Sequence, residues 1–323
     1  MGSIRLGMKR WILAPVALFV VALAGCLPAA PAASPTATGA SAAAAVPPGR
    51  PFSASSSWNT PLSANVTWRD EPALRAGHSW VADEEYSIPI VHSAAGDPLV
   101  AVTVPGTWGW PAGTLHLHIP AGVTGAAGTD ASIVVVSDNI AYNFWIFART
   151  DATHASAQAY AEANTVTDSG WGTASPFRGA GIRAAGSSGL AGIITSGDLA
   201  SGNLIHHALS VSLLGTEIRS GFVAPAIADD GGGYSGTIPM GSRLGIPAGT
   251  PMPAGLSPIG RTIWNTLITY GAFVVDQHGG NSPMMLTADP DSIPTSTIDP
   301  LRIFWNGAPS DLDRIMPAVR VVR

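Results

Sequence analysis

Short apolar runs separated by turn residues are the feature that most limits how this chain can fold. Residues 99–104, 133–136 and 272–275 are examples, and each lies close to glycine, proline, asparagine or aspartate. The chain contains 37 glycines and 27 prolines, which end such runs after a few residues. Runs of this length, joined by turns more often than by helices, are typical of strands. The sequence therefore predicts a mainly β fold, an antiparallel β-sandwich or jelly-roll-like single domain with one or two short packed helices.

Two segments depart from the β pattern and are predicted to be helices. Ser257 can cap a helix whose first residue is Pro258, and Gly271 would end it. The apolar face of this helix would consist of Ile259, Ile263 and Leu267. Residues 155–163 form a weaker helix candidate. We expect both helices to pack against a sheet edge and to have a structural role.

The N-terminus has the pattern of an export signal. Arg5, Lys9 and Arg10 precede an apolar run over residues 11–22, which is too short to span a bilayer comfortably. The sequence Leu23-Ala24-Gly25-Cys26 then resembles the bacterial lipobox, which implies a signal peptide over residues 1–25 and lipidation of Cys26. A plain secretory signal with a chance cysteine is the alternative. We expect the mature protein to be exported and anchored by lipid to the outer face of the bacterial cell membrane.

Composition separates a tether from a folded domain. Residues 26–50 consist mainly of alanine, proline, serine and threonine, so they cannot bury enough apolar surface to offset the entropy of ordering. Residues 51–323 are then the globular, β-rich domain. Because Cys26 is the only cysteine, no disulfide stabilises that domain.

Charge and missing motifs exclude several classes of function. The chain has a formal net charge of −5 and no basic stripe, so nucleic acid is not an expected partner, although a local arginine cluster could bind an anion. The sequence has no Gly-x-Ser-x-Gly, Walker, His-Glu-x-x-His or Cys-x-x-Cys motif. His116 and His118 would share a strand face but have no third ligand in register, so we predict no metal site and assign no cofactor.

Two adjacent histidines precede the apolar run that contains Leu209. If the strand included them, alternation would place His207 with the apolar side chains and His206 on a face of small polar residues. That polar face could be the floor of a sugar-binding groove. A buried imidazole paired with a carboxylate could act as a base, whereas the simpler interpretation for either histidine is a structural, hydrogen-bonded residue.

Two clusters of polar residues lie outside that segment. Asp229 and Asp230 precede three glycines and Tyr234, so they could contact a sugar or a hard cation, or simply form a turn. Asp276 and His278 come at the end of a buried strand, close to a sheet edge where sites commonly occur.

A set of short segments together resembles a family of largely uncharacterised secreted bacterial proteins. The segments are Trp58-Asn59-Thr60-Pro61, Gly181-Ile182-Arg183-Ala184-Ala185-Gly186, His207-Ala208-Leu209, Pro239-Met240-Gly241-Ser242-Arg243 and Tyr270-Gly271-Ala272-Phe273-Val274-Val275-Asp276. The resemblance implies that His207 and Asp276 occupy shared positions. It also implies departures at Ser132, where similar sequences carry a histidine, and near Asn143, where they carry an acidic residue.

These observations favour a polysaccharide-active enzyme, either a lyase or a glycoside hydrolase. The catalytic candidates are His207, Asp276, His206, His278 and Arg183, and the substrate-binding candidates are Trp145, Trp171, Asp229, Asp230 and Tyr234. Trp108 and Trp110 could also stack on sugars. The few acidic candidates favour a lyase slightly, because a hydrolase needs two carboxylates. The alternative is a non-catalytic lipoprotein that binds a glycan or a protein, or that has a structural role in the envelope.

Overall fold

The computed structural model describes residues 50–323 except 108, 109, 111, 174–180, 201, 281, 291 and 303–306. The structure does not describe the predicted signal peptide, Cys26 or the rest of the tether before Arg50. Trp108 also lies outside the described residues. The described residues all belong to one compact unit. None of the helices within them is both long enough and apolar enough to span a membrane.

Strands dominate the described residues. In the first half of the chain they are β1 (Trp68–Arg69), β2 (Trp80–Ala82), β3 (Ile90–His92), β4 (Leu99–Pro105), β5 (Ala112–His118), β6 (Ile133–Ser137), β7 (Ile140–Trp145), β8 (Ala148–Arg149), β9 (His154–Ser156) and β10 (Ala159–Asn164). The later strands are β11 (Leu209–Leu214), β12 (Ile218–Phe222), β13 (Ile238–Met240), β14 (Arg243–Gly245), β15 (Ala272–His278), β16 (Met284–Thr287) and β17 (Arg320–Val322). The apolar runs that predicted strands lie in β4, β6 and β15, so those predictions are confirmed.

Helices are few and short. The α-helices are α1 (Ser196–Ala200), α2 (Pro258–Thr269), α3 (Thr295–Ile298) and α4 (Asp311–Ile315). Single 3₁₀ turns occur at Pro72–Arg75, Asp299–Leu301 and Met316–Ala318. The prediction of a mainly β domain with few short helices is confirmed.

The strands form one large sheet and three smaller ones. The large sheet has the order β1-β17-β14-β15-β11-β16-β2, and two four-stranded sheets have the orders β10-β7-β6-β3 and β5-β4-β9-β8. Strands β12 and β13 pair separately. The large sheet and the sheet that contains β3 are mixed. Most of their strand pairs are antiparallel, but β11 pairs in parallel with β15, and β3 pairs in parallel with β6. Parallel neighbours need long crossover connections, and the chain between β11 and β15 includes α2.

Two clusters of buried side chains account for most of the core. The larger contains the apolar residues of α2 and the large sheet, including Ile263, Leu209 and Val274. The other contains Val102 of β4 and Val135 of β6, which packs the two four-stranded sheets against each other. Burial on alternate residues of β4 gives one sheet face to this core and the other to solvent.

Helix α2 forms as the sequence predicts. The Ser257 hydroxyl accepts a hydrogen bond from the Gly260 N–H, and Pro258 is the first helical residue. The apolar face of Ile259, Ile263 and Leu267 is buried. Gly271 ends the segment with φ of 68°, where a Cβ would lie 2.2 Å from the Leu244 carbonyl oxygen, so only glycine fits.

The helix predicted over residues 155–163 is wrong. Strands β9 and β10 occupy this segment and pair with β4 and β7. Alanine occurs at every second position here, and the side chains at these positions are buried: Ala155, Ala157, Ala159, Ala161 and Ala163. Alanine favours helices, but a strand with alanine at every second position can bury one whole face against the core. This burial outweighs the helix propensity.

The strand pattern assumed for the two histidines is also wrong. β11 begins at Leu209, so His206 and His207 lie in the preceding bend. Ser210 and Ser212 are each 1% exposed, so the small polar face of β11 is core and not the floor of a groove.

We predict that Ser257→Ala lowers the free energy of unfolding by about 1 kcal/mol, because the substitution leaves the Gly260 N–H without its cap. Urea unfolding of the two proteins measures the difference. Ser55→Ala, at an exposed serine outside any helix, is the control. Equal midpoints for the two variants would contradict the role of the cap.

Candidate functional site

A cleft of about 580 Å³ brings together residues from six separate segments. The side chains that matter to its chemistry are Asp130, Asp230, Asp276, Arg183, Trp110 and Trp145. We call it the Asp276 cleft. All of them except Asp130 were candidates from the sequence.

Backbone hydrogen bonds around Ala185 hold three of these segments together. The Ala185 N–H donates to the Val275 carbonyl oxygen at 2.9 Å, which places Arg183 beside Asp276. The Ala185 carbonyl oxygen accepts from the Ile227 N–H at 3.1 Å, which fixes the segment that leads to Asp230. The next residue, Gly186, has φ of 79°, and a Cβ there would lie 2.3 Å from Ile227 Cγ1. The loop therefore needs a glycine at this position.

Arg183 and Asp276 form the charged centre of the cleft. Arg183 Nη1 lies 3.7 Å from Asp276 Oδ2, and the two side chains are 8% and 22% exposed. Arg183 Nη2 also donates to the Thr287 hydroxyl at 3.0 Å. The guanidinium is thus held between β15 and β16, with Asp276 as its ionic partner.

The Asp276 carboxyl group has an unusual affinity for protons. Burial raises its pKa to about 7, and the nearby charges of Asp130 and Asp230 act in the same direction. The positive charge of Arg183 opposes this shift without cancelling it. Close to neutral pH, Asp276 is therefore present in both protonated and ionised forms, as a group that transfers protons must be.

Asp130 and Asp230 add two more carboxylates to the cleft. Asp130 lies just before β6, and Asp230 lies in the exposed segment between β12 and β13. Asp230 accepts a hydrogen bond from the Tyr234 hydroxyl. Burial and this hydrogen bond both raise the pKa of Tyr234, so the phenol stays protonated. Asp229 instead accepts from the Gly221 N–H at 2.6 Å and fixes the loop without lining the cleft.

Tryptophan forms one side of the cleft. Trp110 is 7% exposed and packs with Ala159 and Ala161 of β10. Trp145, at the end of β7, is only partly buried and packs on the same cluster. Trp145 therefore offers the more accessible indole surface to a ligand.

Trp171 does not belong to this site, and its predicted contact with substrate is wrong. It is 4% exposed, and its ring stacks on Trp58 with centroids 4.9 Å apart. Its indole N–H donates to the Ser57 hydroxyl at 2.9 Å. Phe273 meets it edge-on at 5.4 Å. The residue is a core aromatic with no free face for a sugar.

His207 is buried outside the cleft in a pair with Asp198. Its Nδ1 lies 2.9 Å from the Ala208 carbonyl oxygen and its Nε2 lies 3.3 Å from Asp198 Oδ1. A carbonyl oxygen and an ionised carboxylate both accept hydrogen bonds, so these two contacts favour the form of the ring with a proton on each nitrogen. Burial alone would lower the pKa of His207, but the hydrogen bond and charge of Asp198 outweigh it and raise that pKa.

The other two histidine candidates also lie outside the lining of the cleft. His206 is partly exposed in the bend before β11. His278, the last residue of β15, has Nδ1 2.8 Å from the Gly279 carbonyl oxygen, and burial lowers its pKa.

The two positions where the resemblance implied departures have different environments. Ser132 lines the cleft. Asn143 is fully buried, where its Oδ1 accepts from the Ser188 hydroxyl at 2.9 Å and the Gly189 N–H at 2.7 Å. Asn143 thus fixes the 187–189 segment and does not face the cleft.

Sequence reasoning missed Asp130 and Asp198. Asp130 follows a glycine-rich turn and precedes a buried strand, which is a pattern that could have marked it as a residue at a sheet edge. Asp198 follows Thr195 at the spacing of a capping pair, and its carboxylate accepts from the Thr195 N–H at 2.9 Å. Within the described ranges, no three His, Cys, Asp or Glu side chains are grouped so that they could hold a metal ion.

We predict that His207→Gln lowers the free energy of unfolding by about 3–5 kcal/mol, because it removes the imidazole that pairs with the buried Asp198 carboxylate. Burial alone would raise the pKa of Asp198, but His207 keeps it below its ordinary value, while Asp198 raises that of His207. The pair therefore stabilises the fold fully between about pH 4 and 6.5, the ordinary values of the two groups.

Stability should fall below this window as Asp198 gains a proton and above it as His207 loses one. Urea unfolding across this range measures the effect. His206→Gln, at the adjacent partly exposed position, is the matched control and should change stability by less than about 0.5 kcal/mol. Equal losses in the two variants would show that the buried pair has no special role.

Comparison of the chain with protein-family models, with curated proteins and with solved structures gave no match in any of the three. The resemblance to a family of exported bacterial proteins therefore stays a prediction.

Proposed function

We propose that the Asp276 cleft binds a glycan and hydrolyses it, on a protein that is exported and anchored to the cell surface through Cys26. The observation that carries the proposal is the grouping of three aspartates and two tryptophans in one cleft. Carboxylates supply the acid and the base of glycoside hydrolysis, and aromatic side chains stack on sugar faces.

Asp276 is suited to be the general acid. Its pKa of about 7 keeps a proton available close to neutral pH. In the reaction this proton would move to the glycosidic oxygen as the bond between that oxygen and the anomeric carbon breaks. Arg183 then stabilises the carboxylate that Asp276 becomes.

Asp130 or Asp230 would be the second carboxylate. Both line the cleft, and their charges act on Asp276. An ionised carboxylate can remove a proton from water as the water attacks the anomeric carbon, and this single displacement inverts the configuration of the sugar. Alternatively, the carboxylate can attack that carbon itself and form a glycosyl ester. Water, which gives its proton to the Asp276 carboxylate, then displaces the ester oxygen, and the two displacements together retain the configuration.

The charge of the cleft favours hydrolysis over elimination. A lyase must neutralise the carboxylate of a uronic acid, but Arg183 is buried and paired with Asp276. Asp130 and Asp230 would repel an anionic sugar. These features support a neutral glycan as substrate, although the sequence alone favoured a lyase slightly. A non-catalytic glycan-binding protein would use the same tryptophan wall and is the alternative.

The test is a panel of neutral and uronic-acid polysaccharides incubated with the full-length chain. New reducing ends without the ultraviolet absorbance of unsaturated uronides would support a hydrolase. Reducing ends with that absorbance would replace it with a lyase. Saturable binding of an oligosaccharide without turnover would support the binding protein instead.

We predict that Asp276→Asn lowers kcat by about 10²–10⁴-fold, because an amide cannot donate the proton. For the unsubstituted protein, kcat/KM should fall as the pH rises above about 7, where Asp276 loses its proton. Asp138→Asn is the control, since Asp138 is exposed with φ of 52° and asparagine tolerates that conformation. Unchanged turnover in Asp276→Asn would exclude Asp276 as the acid.

We predict that Trp145→Ala weakens oligosaccharide binding about tenfold through loss of the stacking surface. Calorimetric titration of the oligosaccharide identified by the panel measures the change. Trp145→Phe keeps an aromatic face and should retain most of the affinity. Equal losses in both variants would argue against stacking.

A further inference from the structure

A second cleft, of about 620 Å³, is lined by four arginines. They are Arg69 of β1, Arg219 of β12, Arg243 of β14 and Arg323, which follows β17. We call it the arginine cleft. None of these residues has a part in the function proposed for the Asp276 cleft.

Only one of the four guanidinium groups has an acidic partner among the described residues. Arg69 pairs with Glu71. Across the part of the chain that the structure describes, no carboxylate lies within 4.0 Å of the guanidinium of Arg219, Arg243 or Arg323. A concentration of uncompensated positive charge is unexpected in a chain whose net charge is −5.

Arg243 is fixed in place by groups that leave its charge unneutralised. Its Nε donates to the Tyr270 carbonyl oxygen at 2.8 Å, and its Nη2 donates to the Thr60 carbonyl oxygen at 2.5 Å. The guanidinium carbon lies 5.0 Å from the centroid of the Phe273 ring, in a cation–π contact. Burial lowers the pKa of Arg243 to about 10, so it stays charged at neutral pH.

Glu71 and Glu217 do not offset the arginines. Glu71 is occupied by Arg69 and by the hydroxyl of Thr237, which donates to it at 2.5 Å. Burial raises the pKa of Glu217 to about 8, so this neighbour of Glu71 is uncharged at neutral pH. The arginine cleft therefore keeps a positive charge.

The segment Pro239-Met240-Gly241-Ser242-Arg243, which the sequence analysis singled out, forms part of the wall. Pro239, Gly241, Ser242 and Arg243 all line the cleft. Gly241 has φ of 84°, and a Cβ there would lie 1.9 Å from the Val223 carbonyl oxygen. This close approach brings the 223–225 segment and the Arg243 strand together around the cleft.

We propose that the arginine cleft binds a phosphate ester or diphosphate of a small soluble molecule. Guanidinium groups bind phosphate oxygens through two parallel hydrogen bonds, which gives geometric selectivity as well as attraction. A single carboxylate would neutralise only one of the three unpaired arginines, whereas a phosphate group carries about two negative charges at neutral pH. The volume of the cleft leaves room for the rest of the molecule.

The test is calorimetric titration of the full-length chain with inorganic pyrophosphate. We expect saturable binding that weakens as salt is added. The double variant Arg219→Gln/Arg323→Gln should weaken it by at least about tenfold, a loss of about 1.4 kcal/mol. Arg261→Gln, which removes one positive charge from the exposed face of α2, should bind as the unsubstituted protein does.

The side chains of Arg219 and Arg323 are exposed, and thermal melting of the double variant checks that it folds. If it does not, each single variant should show part of the loss. Absence of saturable binding, or equal binding by the double variant and Arg261→Gln, would overturn the proposal.

Two further measurements distinguish a soluble ligand from a lipid, and the arginine cleft from the Asp276 cleft. Vesicles of phosphatidylglycerol, compared with phosphatidylcholine, report recognition of a lipid headgroup, and binding to them without binding of pyrophosphate would overturn the proposal of a soluble ligand. Asp276→Asn should bind pyrophosphate as the unsubstituted protein does, whether or not the glycan proposal holds.

Discussion

The contact between Arg183 and Asp276 is the interaction on which the Asp276 cleft depends. Each group is buried enough that its charge would be costly without the other. The contact forms because Ala185 hydrogen-bonds to both Val275 and Ile227, which brings β15, the 181–186 loop and the segment leading to Asp230 to one place. Burial and two further carboxylates then raise the pKa of Asp276 to about 7, where the group can transfer protons at neutral pH.

Strand β15 contributes to two clefts of opposite charge. Phe273 lies in the arginine cleft and Asp276 in the acidic one, three residues and about 10 Å further along the strand. Val274 and Val275 between them are fully buried. The apolar core thus separates the carboxylates of one cleft from the arginines of the other, so that neither set neutralises the other.

Local patterns predicted much of the fold, while contacts distant in sequence decided the rest. The apolar runs in β4, β6 and β15 and the cap at Ser257 depend on neighbouring residues, so they were predictable. The alanines of residues 155–163 have a high helix propensity, but they occur at every second position, which gives a strand one buried face. The sequence indicated Asp276 and Arg183 individually but not their contact. Periodicity could not show that His207 pairs with Asp198 or that Trp58 covers Trp171.

The function proposed for the cleft depends on the protonation of Asp276, which carbon-13 NMR of the aspartate carboxyl carbons measures directly. The signal that disappears in Asp276→Asn identifies the residue. We expect a titration midpoint at about pH 7 for this carboxyl group. A midpoint at about pH 4, the ordinary value for an aspartate, would contradict it.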